Sequence, residues 1–123
     1  MTCPTTPQTR KVMSETNLLR PYGSRSFHTN FEFGIEAGVC FIRPLREKGV
    51  QWNSLTDNGK SLLRGLFSIP GITDIRLNSY EMTIDKGILF SWDDIETEIQ
   101  KVFMNVYGPD IAFEYKAGPL RAL

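Results

Sequence analysis

Thiol and imidazole side chains are among what this sequence has least of. Cysteine occurs twice, as Cys3 and Cys40, and histidine once, as His28. Two cysteines so far apart make neither a disulfide framework nor a closely spaced thiolate pair, which points to a reducing compartment such as the cytoplasm. No phosphate loop, nucleophile motif or metal-ligand spacing is present. No catalytic, cofactor-binding or metal-binding residue is therefore assigned, and the chain reads as noncatalytic and without a cofactor. An excess of one charge is lacking too, since 14 Lys and Arg face 14 Asp and Glu. That balance argues against strong nonspecific binding to nucleic acid or an anionic membrane. No run reaches the roughly 18 apolar residues of a membrane-spanning helix, and the N-terminus has no apolar secretory core.

What remains is ordinary globular material. A chain of 123 residues with 41% hydrophobic and 23% charged content suits one soluble domain with one core. Residues 1–25 show no sustained period and carry Arg10, Lys11, Arg20 and Arg25 against Glu15 alone. They read as a flexible basic arm, with an organelle transit peptide as the alternative. The domain proper spans residues 26–108, and residues 109–123 form an extension.

From Phe27 the residues alternate, with Thr29, Phe31, Phe33 and Ile35 on one side, as a half-buried strand does. Gly34 and Gly38 bracket a reversal, and Val39 to Ile42 makes a second β-rich run, expected to pair with the first as a hairpin. A helix is expected within Ser54 to Ser68, starting at Ser54 or as late as Lys60, and ended by Pro70 and Gly71. Ile72 to Asn78 and Tyr80 to Lys86 read as a second hairpin, with Tyr80, Met82 and Ile84 on one side. Ser91 then caps the clearest helix through the N–H of Asp94. Its stripe of Trp92, Ile95, Ile99, Val102, Phe103 and Val106 runs to a stop at Gly108 and Pro109. Ile111, Phe113 and Tyr115 alternate and can add an edge strand. The fold class is α+β, ββαββα, with two antiparallel hairpins in one sheet and two helices on one face.

Individual residues have plain readings beside sharper ones. His28 reads as a solvent-facing strand residue rather than an acid, base or ligand. Cys40 reads as core packing rather than a redox thiol. Asp93, Asp94, Glu96 and Glu98 complement the positive end of a helix dipole, although carboxylates also suit a hard cation or a basic partner. Arg43, Arg46 and Lys48 could meet phosphates, with Phe31, Phe33 and Phe41 either stacking bases or filling the core. Ile88, Leu89 and Phe90 are either an exposed apolar contact or a packed connection.

The stretch from Leu62 to Phe103 carries a family resemblance. Leu66, Phe67, Ile69, Pro70, Gly71 and Ile72 form a Leu-Phe-x-Ile-Pro-Gly phrase running from helix to strand, followed by Ile75, Met82, Ile84, Lys86, Trp92 and Ile95. In this wording the chain resembles the N-terminal domain of the Nfu family, the NifU-related proteins of iron-sulfur cluster assembly, over Phe27 to Tyr107. It departs where that family carries a Thr-Pro-Asn-Pro-Asn phrase, having Gly34 to Gly38 instead, and it has no Cys-x-x-Cys pair. The resemblance implies a protein-interaction module, an accessory to iron-sulfur cluster assembly whose partners are assembly proteins or clients. A single-stranded nucleic-acid binder using the free sheet face and basic arm is the alternative.

Overall fold

The computed structural model describes residues 9–17, 19–20, 22–33 and 38–116. The elements run in the order β1 (Lys11–Thr16), β2 (Ser24–Thr29), β3 (Val39–Ile42), α1 (Val50–Asn53), α2 (Asp57–Phe67), β4 (Ile72–Leu77), β5 (Glu81–Lys86), α3 (Trp92–Tyr107) and β6 (Ala112–Lys116). The strands form one mixed sheet in the order β3-β4-β5-β2-β1-β6. All neighbours are antiparallel except β1 and β6, which run parallel. The α+β class and the single sheet follow the sequence reading, with a short third helix added.

Each long helix forms for local reasons. Thr56 caps α2 by accepting the Gly59 N–H at 3.2 Å, and Ser91 caps α3 by accepting the Asp93 N–H at 3.2 Å. The expected cap on Asp94 is thus corrected by one residue, because the Ser91 hydroxyl meets the nearer donor. The expected first helix is present as α2, starting at Asp57 within the expected range, and α1 precedes it at Val50–Asn53. Leu62, Leu63 and Leu66 of α2 are completely buried, each worth about 1.5–3 kcal/mol of transfer free energy. Close approach of the two helices needs Gly65, where a β-carbon would lie 2.6 Å from Val102 Cγ1.

One sheet face carries the core. Val12, Phe27, Phe41, Ile75, Leu77, Met82 and Ile84 pack with Trp92, Ile95, Ile99 and Phe103 of α3 and the leucines of α2. By strand alternation the other face presents chiefly polar side chains. Among them Asp85 lies 3.3 Å from Arg76 and 3.5 Å from Arg20.

Several expectations are corrected here. The first two runs do not pair as a hairpin. Instead β3 lies against β4, where Phe41 stands opposite Ile75 and Val39 opposite Leu77 on the core side, while β2 sits between β1 and β5. The first strand starts at Ser24 and ends at Thr29, before Phe31 and Phe33, and Ile35 lies outside the described residues. Within the expected flexible arm, Lys11–Thr16 is a strand with partners on both sides. Tyr80 precedes β5 and is exposed, whereas Met82 and Ile84 within it are buried. The expected edge strand is present as β6, at the end of the sheet.

Candidate interaction site

At the end of β5 the backbone turns tightly into α3. Gly87 N–H donates to Gly71 O at 2.8 Å, and Phe90 N–H donates to Gly87 O at 3.2 Å. Gly71 has φ 100, a conformation that glycine adopts without a side-chain penalty. The missing side chain also makes room for the Phe90 ring, which lies directly over it. With Phe90 folded down, Ile88 and Leu89 stand out at 89% and 92% exposure.

A second connection emerges from the same end of the sheet. Lys86 N–H donates to Gly23 O at 2.9 Å, so the β1–β2 connection lies beside the β5–α3 turn. That connection carries Leu19 and Tyr22, also strongly exposed. Four large apolar side chains thus crown one end of the sheet, an arrangement a monomer in water gains nothing from. Asp93 and Asp94 follow on the exposed first turn of α3.

The support beneath this tip is firm. The Lys86 ammonium lies 5.5 Å from the Trp92 ring centre and 3.4 Å from Gly87 O. Arg25 sits between Trp92 and Tyr115, at 5.0 and 5.2 Å, and pairs with Glu96. These contacts hold the start of α3 on the sheet. The arrangement presents exposed apolar side chains on a turn braced from below.

The residues singled out by sequence are dispersed. His28 does have a partner, Glu15 Oε1 at 3.3 Å on the neighbouring strand, and Glu15 is also 3.4 Å from Lys116. Cys40 is exposed, which corrects its expected place in the core. The helices cover one face only, so alternating residues of Val39–Ile42 point away from them. Of the four acids, Glu96 pairs with Arg25 and Glu98 with Lys101. Among the described residues no three His, Cys, Asp or Glu side chains are placed to hold a metal ion. Arg43 donates to Ile72 O, Phe67 O and Ile69 O at 2.7, 2.8 and 2.9 Å, closing the end of α2. Its guanidinium is committed to the fold, not to phosphates. Phe33 and Phe41 are buried and Phe31 packs on Tyr107 with ring centres 4.7 Å apart, so these rings fill the core rather than a stacking platform. Of the apolar tip, the sequence reading found Ile88 and Leu89 but not Leu19 and Tyr22. Their only signal is apolar side chains next to Arg20 and Gly23 in a largely polar arm.

No protein-family model and no curated protein matches the sequence. The fold is similar to the solution structure of a NifU-like protein from Saccharomyces cerevisiae, with a TM-score of 0.60, 13% identity and 90% of each chain covered. Protein SAV1430 from Staphylococcus aureus aligns at a TM-score of 0.49 and 9% identity, over 65% of this chain and 83% of that one. At 13% identity the yeast likeness is one of fold alone. Among the described residues no helix is long and apolar enough to cross a membrane.

Proposed function

We propose that this chain is a noncatalytic protein-interaction module, an accessory to iron-sulfur cluster assembly or delivery that resembles the N-terminal domain of Nfu proteins. The observation that carries the interaction reading is the projecting pair Ile88 and Leu89, exposed on a turn braced from below by Phe90 and Gly71. Truly unneeded apolar exposure at a rigid turn is costly to solubility, and its usual use is recognition. The NifU-like fold supports the choice of partner. Cluster ligation is left to another protein in this reading, since Cys40 is alone on its strand and a cluster needs several thiolates.

The test is calorimetric titration of the purified chain with the Cys-x-x-Cys domain of a NifU-like protein and with an apo iron-sulfur client. Binding to one of them, weakened about tenfold or more by Leu89→Asp, is the expected result. Absence of binding to both, or equal affinity for the variant, overturns the proposal.

A further inference from the structure

The sheet has an open edge at β3, and its surroundings point to a second kind of ligand. Arg43 N–H donates inward to Thr73 O at 2.9 Å. Antiparallel pairing alternates, so the N–H and C=O groups of Cys40 and Ile42 face away from β4. Among the described residues only a long bond covers them, from Cys40 N–H to Gln51 Oε1 at 3.4 Å. Natural edges are commonly shielded by charge, a bulge or a covering element. Here charge and α1 stand beside the edge but leave a depression of about 500 Å³ alongside it, lined by Ile42, Pro44, Arg46, Lys48, Val50 and Gln51 among others.

The lining has a definite character. Ile42 and Val50 are 62% and 87% exposed, giving apolar contact on both sides of the depression. Arg46 and Lys48 are exposed, and neither has an ion pair among the described residues. Glu47, the acid between them, is turned to Arg64 with a separation of 2.6 Å. The wall beside the edge is thus cationic, with its neighbouring carboxylate occupied elsewhere. A second copy of this chain would bring the same two cations to the junction.

We propose that β3 accepts an extended acidic peptide segment as a seventh strand. Backbone groups of Cys40 and Ile42 pair with the peptide, alternate apolar side chains rest on Ile42 and Val50, and its carboxylates face Arg46 and Lys48. None of the residues of the β5–α3 tip takes part.

The probe is a fluorescein-labelled six-residue peptide of alternating glutamate and valine, titrated by anisotropy, with a lysine-for-glutamate version and a backbone N-methylated version as controls. The expected result is binding of the acidic peptide alone, slowed amide exchange at Ile42, and affinity reduced about tenfold or more in the Arg46→Glu, Lys48→Glu double variant. That variant should now take the lysine peptide, which shows that it is folded and charge-selective. Leu89→Asp should bind the acidic peptide as the wild type does, so failure at the tip and failure at this edge are separable. No binding, equal binding of the N-methylated peptide, or unchanged exchange at Ile42 overturns the proposal. Protection of Ile42 by self-association without peptide also overturns it, with a second copy as the occupant.

Discussion

Phe90 lies on Gly71 so closely that a β-carbon at Gly71 would fall 2.5 Å from the ring. The two residues join the exit of α2 to the entry of α3, and their contact decides which way the turn between them points. Gly71→Ala must both strain a backbone at φ 100 and displace the ring. We expect a loss of about 2–4 kcal/mol in urea unfolding, from strain and overpacking together. A loss below about 0.5 kcal/mol would mean that the ring has another resting place.

The neighbouring side chains should respond very differently. Ile88 and Leu89 touch little of the fold, so Leu89→Asp should change stability by less than about 0.5 kcal/mol. Phe90→Ala removes the ring that covers Gly71 and should cost about 1–3 kcal/mol. Thermal melts of the two variants check this contrast. Equal destabilisation by both would sink the idea that Leu89 is presented rather than packed.

The sequence made this end of the fold easiest to read. The phrase from Leu66 to Ile72, the hairpin of β4 and β5, and the capped start of α3 each carry their own local punctuation. Nonlocal choices were not legible. Strand β1 was hidden because Ser14 occupies a buried position, which breaks the apolar alternation. The partner of β3 was misassigned because pairing with β4 depends on Phe41 meeting Ile75 across more than thirty intervening residues. Cys40 looked like core because four β-prone residues in a row do not reveal which face the helices cover. The tip's second half, Leu19 and Tyr22, needed the Gly23 to Lys86 bond to bring it alongside.

Arg43 is a structural closure of α2. It gathers three carbonyls with a planar, forked donor set, which a lysine cannot copy. Arg43→Ala should cost about 2–3 kcal/mol, and Arg43→Lys should recover less than half of that. Full recovery by lysine in chemical denaturation would show that charge alone matters.

Tyr107 supplies an alkaline signature. Burial pushes its phenol from 10.0 up to about 12, against a smaller opposing pull from Arg10. The folded state therefore holds this proton more tightly than the unfolded one. Stability from the group is complete below pH 10 and is lost as the pH rises to 12. Tyr107→Phe should flatten that part of the stability curve relative to the wild type. Its buried hydroxyl has no hydrogen-bond partner among the described residues, so at neutral pH the variant should be as stable or up to about 1 kcal/mol more stable. An alkaline slope like that of the wild type would contradict the assignment.

The parallel pairing of β1 with β6 sets Lys11 opposite Ala112. In a chain emerging from the ribosome, one flank of the earliest strand stays open until almost the last residues of the sheet have been made. Loop closure over that span is slow compared with forming the β4–β5 hairpin or α3. The edge of β1 thus stays exposed until β6 has been made, and chaperone protection would matter more for this strand than for the stretch in which the fold is easiest to read.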